Sequence, residues 1–558
     1  MADLTPHEGG STPGKKPTQM EEVEEEMGTQ QAMGDVHGVG IKIQRAEEVY
    51  RAYAGLEDKP SKGEVFAWNL YELCSYFIHT VLIPIVFPLI ISQTLHTREP
   101  DVIGWSNRHD GTYCGPKQLK LYEGLTNRLI KVHNMNFSPL EWTSISWFTG
   151  LILAVPILGS ISKHFDHGQS QQLISVAAIA IGALFCLPTG FFRTPWVFPP
   201  YIAFIVAANT AAAASHTRHF GLMVRGFIGP VLRRSQFSSR REVAGWLSLY
   251  GTAAGSLGAA IISAFTYHML RVKEKFFALW IVLIFSGLKW LVGISHIFVT
   301  HRHTSTTNST QNSTATAHMV SILRYPHAIG GLAGVFLSSF STMCIFAGGV
   351  LFLVGQLCLK PAHFFYLLLT YFLFPLLSLP LLHPLLVLMK TDAVKMQLLG
   401  FLLSTATSGL GFYYRNKNWD TLHVLLVAGL QSTSVGLLHA FGRVLLLDCS
   451  PPGKEGAFSV WFSWVRAVGT CAGFAIASTI PGKIGSSLGI AFCTSVFGIV
   501  ILIFGNVSNM GGAIDAGHVR HVGEDGKNGL PPDDSWDTGI GMEGGEHAET
   551  LKRGKAEV

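Results

Sequence analysis

The sequence predicts an all-α polytopic membrane protein of 12 transmembrane helices arranged as two six-helix bundles, and three observations carry that prediction. Of 558 residues, 48% are hydrophobic and 14% charged, with a mean hydropathy of +0.33, too apolar for a soluble chain of this length. Twelve apolar runs approach the ~20 residues needed to cross a hydrocarbon core. A Ser/Thr/Asn-rich stretch, HRHTSTTNSTQNSTATAH, falls between the sixth and seventh runs and divides them six and six.

The runs lie near 67–92, 141–162, 171–192, 197–219, 243–268, 276–300, 327–356, 361–388, 396–414, 421–447, 457–480 and 484–505. Residues 65–300 are therefore expected to form the N-terminal bundle, 301–325 a flexible cytosolic linker and 326–506 the C-terminal bundle. Residues 1–64 contain the acidic run EEVEEEM and no apolar signal-peptide core, so targeting falls to the first helix. Residues 507–558 are polar and Gly-rich. Both ends are expected to be disordered cytosolic tails, available to cytosolic proteins.

Basic residues set the expected orientation. The connection between the fourth and fifth runs carries Arg218, Arg225, Arg233, Arg234, Arg240 and Arg241, and that between the eighth and ninth holds Lys390 and Lys395. The positive-inside rule places these connections and both termini in the cytosol. An internal echo, Gly251-Thr-Ala-Ala-Gly255 in the fifth run and Gly469-Thr-Cys-Ala-Gly473 in the eleventh, supports a duplicated architecture. Such Gly-xxx-Gly pairs let helices approach closely in lipid. The eight cysteines show no metal-ligand spacing, and Cys114 and Cys358 would share the non-cytosolic side.

Polar groups inside apolar runs are the candidate site. Asn69, Glu72, Tyr76 and His79 recur at i, i+3, i+7 and i+10, along one face of the first helix. An ionisable group at mid-membrane costs on the order of 3 kcal/mol, so it normally faces a cavity or a partner. Lys289 sits mid-way through the sixth run and Arg466 a few turns into the eleventh. For Lys289 a structural interhelical partner and a transport role both stay open. Arg466 could pair with Glu72 or hold a solute carboxylate. The tenth run carries Gln431, Ser432, His439 and Arg443; the first and third are candidate solute ligands, whereas Arg443, near the helix end, reads as an interfacial anchor. Asn209, Ser338, Ser341 and Thr342 complete a set in the first, fourth, seventh and tenth runs.

No HxxxH or Cys/His cluster recurs inside the helices, and there is no P-loop, GxSxG or HExxH. No metal, cofactor, nucleotide-driven pumping or enzymatic activity is therefore expected. The net charge of +5 sits between apolar segments rather than on a soluble face, so nucleic acid is not an expected partner.

Trp68-Asn-Leu-Tyr71-Glu72, followed by Phe87-Pro88, resembles the opening helix of the vacuolar amino-acid effluxers linked to autophagy, a branch of the major facilitator superfamily. Pro451-Pro-Gly-Lys-Glu-Gly-Ala-Phe458 is similar to that family's P-P-G-K-E-x-x-F segment between helices ten and eleven, and Pro156-Ile-Leu-Gly159 is a weaker match. The resemblance implies the major facilitator fold over about 64–505, alternating access to a site lined by helices one, four, seven and ten, and a vacuolar or other endomembrane location. Gly159-Ser-Ile-Ser-Lys-His-Phe-Asp-His-Gly168 lacks the Asp-Arg pair usual in that superfamily's two–three loop, and Glu72 stands where the branch has Asp.

The function expected is secondary active transport of a small polar solute, an amino acid first, coupled to protons through Glu72. Asn69, His79, Gln431, His439, Arg466 and Lys289 complete the expected site. The rival is a non-transporting membrane receptor or scaffold built on the same fold.

Overall fold

A Ser61 cap opens the first helix: its hydroxyl accepts the Glu64 N–H at 3.1 Å, meeting one of the donors a helix start leaves unpaired. The structure is a computed structural model that describes residues 59–95, 116–167, 171–229, 232–271, 275–299, 319–355, 357, 361–388, 390–415, 419–480 and 484–519. The spanning helices are α1 (Lys62–Thr94), α2 (Pro139–His167), α3 (Gln171–Cys186), α4 (Phe198–Ile228), α5 (Phe237–Leu270) and α6 (Lys275–Val292). The second half comprises α7 (Pro326–Gly355), α8 (Pro361–Leu388), α9 (Ala393–Tyr413), α10 (Thr421–Asp448), α11 (Glu455–Thr479) and α12 (Ile484–Phe504). Eleven are apolar enough to cross a membrane unaided. The other, α9, carries Ser404, Thr405, Thr407 and Ser408 through its middle and packs against α10 and α12.

Helix α1 is not uniform. A π-helical segment, Ile78–Val86, interrupts it and contains Pro84. Proline lacks the N–H an α-helix needs there, and π segments often mark functional positions; this one carries His79.

The glycine echo has a packing reason. A Cβ on Gly251 of α5 would overlap the Trp68 ring of α1 and one on Gly255 would crowd Tyr76, while one on Gly473 of α11 would overlap the Phe340 carbonyl of α7. The duplicated motif thus brings α5 onto α1 in one bundle and α11 onto α7 in the other. Between bundles, α5 lies along α8, and α11 packs against both α2 and α4. Phe148, Leu184, Leu381 and Phe504 are exposed on the outside, as lipid-facing side chains of a spanning bundle would be.

The α1–α2 connection holds a helix, Pro116–Thr126, and a hairpin of β1 (Ile130–Val132) and β2 (Met135–Phe137) with Ile130 opposite Phe137. At the opposite end of the bundles lie the α2–α3, α4–α5, α8–α9 and α10–α11 connections, hereafter the Arg-rich end. There the chain beyond α12, expected to be disordered from 507, instead folds back as a helix, Asn509–Asp515, and Val519 bridges to Leu232. The apolar Met510, Ala513, Ile514 and Val519 gather around Phe237, which gives this stretch a reason to dock. The N-terminal tail, most of the 301–325 linker, Cys114 and Cys358 lie outside the described residues.

Candidate functional site

A cavity of about 70 Å³ lies between the bundles, lined from α1 by Tyr76, His79 and Thr80, from α7 by Ser338, Ser339 and Thr342, from α10 by Ser432 and His439, and from α11 by Arg466 and Thr470. At roughly 10–15 Å³ per water, that is room for about five to seven water-sized groups. Three of the four helices expected to line the site, α1, α7 and α10, do so, and α11 stands in it with them.

Arg466 dominates the cavity. One Nη lies 2.5 Å from His79 Nε2. Because a guanidinium only donates, that nitrogen is the acceptor, and the imidazole proton is on Nδ1. Among the described residues no carboxylate lines the cavity and none pairs with Arg466. His439, also in the lining, is 9% exposed, its ring centroid 5.7 Å from that of Tyr76, and neither ring nitrogen has a hydrogen-bond partner among the described residues. The result is a guanidinium and two imidazoles facing hydroxyls and aromatic rings, a set suited to an anion.

Glu72 is not the partner of Arg466. Its Oε1 accepts Arg443 Nη1 at 2.5 Å and His216 Nε2 at 3.2 Å. Arg443 also donates to Ser248 Oγ from Nε at 3.2 Å and Nη2 at 3.0 Å, with its guanidinium over the Trp68 and Phe220 rings. Far from being an interfacial anchor, Arg443 is 1% exposed and ties α10 to α1 and α5 across the bundles. Sequence suggested the anchor because Arg443 lies only five residues from the helix end; the approach of the second bundle buries it there.

The other expected residues separate. Asn69 is half-buried, and its Oδ1 has no hydrogen-bond partner among the described residues. Lys289 stays within the N-terminal bundle, where Nζ donates to Gly258 O at 2.8 Å and lies 4.3 Å from the Phe77 ring, which makes it an interhelical strut away from the cavity. Gln431 turns to α9, accepting the Thr407 hydroxyl, and borders a separate apolar cavity of about 140 Å³; its neighbour Ser432 faces the central one. Asn209 is outside the central lining, while Ser338 and Thr342 line it with hydroxyls that bond back to their own helix.

Below the cavity, contacts between bundles close the Arg-rich end. Arg240 donates to Asp448 at 2.7 Å, Arg225 ion-pairs with Glu455 at 2.6 Å, and Arg241 pairs with Asp392. Asp166 receives the Gly456 and Ala457 N–H groups at 2.6 and 3.1 Å, so a carboxylate from α2 caps the start of α11, where the helix dipole favours negative charge. The sequence reading had only the altered loop around Asp166 and the PPGKE segment, not their contact.

The comparisons agree with this architecture. No family model matches the chain, and no curated protein matches it. Among solved structures, the human organic anion transporter MFSD10 (TETRAN) matches 80% of this chain and 100% of its own, with a TM-score of 0.51 and 13% identity. At that identity the likeness shows the fold alone, that of an all-α, multi-pass membrane protein.

Proposed function

We propose that this chain is a secondary transporter that moves a small organic solute bearing a carboxylate by alternating access, with proton coupling through Glu72. The observation that carries the reading is Arg466: a cation in the inter-bundle cavity, bonded to a neutral imidazole and lacking an acidic partner among the described residues. An isolated buried charge is costly, and a solute carboxylate would meet it with two charge-assisted hydrogen bonds. The human neighbour is described as an organic anion transporter, which fits the same chemistry. An amino acid belongs to this class, its ammonium resting on the oxygens of Ser338, Ser339, Thr342 or Ser432. A plain monocarboxylate fits with fewer unmet needs, because the lining offers no carboxylate to the ammonium.

Coupling follows from what holds the Arg-rich end closed. Glu72 and Arg443 belong to different bundles, so parting the bundles separates them. Protonating Glu72 removes the charge that holds Arg443 and allows that end to open. Counterflow of labelled lactate, acetate, alanine and glucose in proteoliposomes of purified protein tests the reading. Saturable exchange of a carboxylate supports it; exchange confined to glucose contradicts it. Accumulation driven by an imposed pH gradient should be lost in Glu72→Gln, and its persistence would refute the role of Glu72.

A further inference from the structure

Three histidines beside Glu72 are not needed to line the cavity. His216 and His219 of α4 are three residues apart, on one helical face, and the short helix Ser295–Val299 sets His296 against both. The His296 ring centroid is 5.6 Å from that of His216 and 5.3 Å from that of His219, edge-on in each case. All three are buried, at 3%, 9% and 6% exposure for His216, His219 and His296. At one end His216 Nε2 reaches Glu72 Oε1 at 3.2 Å. At the other, His219 Nε2 is 2.9 Å from Glu64 Oε1, and Glu64 lies in the first turn of α1, beside the exposed Lys62 and Gly63 at the Arg-rich end.

We infer that Glu64, His219, His296 and His216 form a proton relay that connects Glu72 to the Arg-rich end through the N-terminal bundle. The inference rests on the proton coupling proposed above and names its path. Buried Asp/Glu/His chains are what such a path requires, because an imidazole can take a proton on one nitrogen and release one from the other. In each hop one N–H or O–H bond breaks as another forms, and no other reactant is consumed. Tyr71 flanks the row, its ring centroid 4.2 Å from His216 and 5.7 Å from His296. His216 Nδ1 has no hydrogen-bond partner among the described residues, so it is available to a hopping proton. The charged groups facing the row are Glu64 and Glu72 from α1 and Arg443 from α10, with Trp68 stacked on His216 at 4.6 Å. The path runs beside the solute cavity rather than through it, so Glu72 can exchange protons with the Arg-rich side while the ion pairs there keep solute out.

The test uses the full chain with His219→Gln and His296→Gln, which leave the Glu72–Arg443 pair intact. In proteoliposomes with labelled lactate, each variant should lower gradient-driven accumulation on the order of 100-fold, the scale of a lost proton-transfer group, and far more than it lowers counterflow. Equal losses in both assays would overturn the relay. Rapid-scan infrared spectroscopy after a pH jump, following the carboxyl band that disappears in Glu72→Gln, reads the relay without any solute. Slower titration of that band in both variants supports the relay, and wild-type kinetics overturn it. Absence of lactate exchange in the wild-type protein would count against the carboxylate-transport reading alone, because the infrared result still decides the relay.

Discussion

The Glu72–Arg443 pair gives the most quantitative prediction. Glu72→Gln preserves shape and an acceptor oxygen but removes the charge opposite a guanidinium 1% exposed. Leaving one member of a buried pair uncompensated costs about 3–5 kcal/mol. Arg443 keeps its Ser248 contacts at 3.0–3.2 Å, so the lower end applies. The two residues stand on different bundles, and the loss therefore falls on the state in which the Arg-rich end is closed. About 3 kcal/mol corresponds to a shift on the order of 100-fold toward opening at that end. Cys449 provides the assay: it is buried at 1% exposure at the Arg-rich end, beneath Gly512 of the returning chain. With the other seven of the eight cysteines replaced by serine, a membrane-impermeant maleimide should label Cys449 much faster in Glu72→Gln than in the parent. Adding Arg443→Met should return labelling toward the parent rate, because the unpaired charge is gone. Unchanged labelling in folded Glu72→Gln protein would refute the clasp.

Other perturbations follow from the same contacts. Asp166→Ala removes the acceptor of two α11 N–H groups and should cost about 0.5–2 kcal/mol as a lost helix cap, read as a lower Tm and faster Cys449 labelling; an unchanged Tm would argue against the cap. Gly473→Val must push α11 off the Phe340 carbonyl and should destabilise by about 1–3 kcal/mol or more, measured by thermal unfolding in detergent, whereas a neutral result would mean the helices are not in contact there. Docking of the 505–519 segment should weaken in acid. His518 donates to Ser450 O at 2.9 Å, and burial, then Arg240 and Arg225, hold its pKa well below the ordinary value of 6.5. The docked form thus binds fewer protons than the undocked form, so docking is fully stable above that value and loses about tenfold per pH unit below it. Because the thiolate is the reacting form, the Cys449 rate is divided by that of a free thiol at each pH; this ratio should rise between pH 7.5 and 5 in the parent and flatten in His518→Gln, and a flat ratio in the parent would refute the assignment.

Eleven of the helices were legible because hydropathy specifies a lipid-crossing segment, whereas α9 falls below that mark and was legible only as an apolar run of helical length. The glycine echo was legible because close helix approach demands the missing Cβ. Individual site residues were legible only as anomalies: Glu72 and Arg466 stood out as charges in apolar runs, yet their partners lie 371 and 387 residues away, a distance over which periodicity carries no information. Gln431 and Ser432 differ by one position, about 100° around a helix, and that step decides whether a side chain meets α9 or the cavity. Arg443 was misread because distance from a helix end says nothing about what covers it. His216 and His219 carried a readable i, i+3 spacing, but His296, which joins them, comes from a separate helix. The π segment at His79 has no sequence signature beyond Pro84.

Arg466 is the cation on which recognition of a solute carboxylate depends. The decisive measurement is counterflow of labelled lactate in proteoliposomes containing wild-type protein or Arg466→Gln, each shown to be folded by its thermal transition. Loss of one charge-assisted pair, about 1.5–3 kcal/mol, predicts exchange weakened by roughly tenfold to 100-fold in Arg466→Gln, with partial recovery in Arg466→Lys. Saturable lactate exchange of equal affinity in the wild type and Arg466→Gln would contradict the assignment of the cavity to a carboxylate.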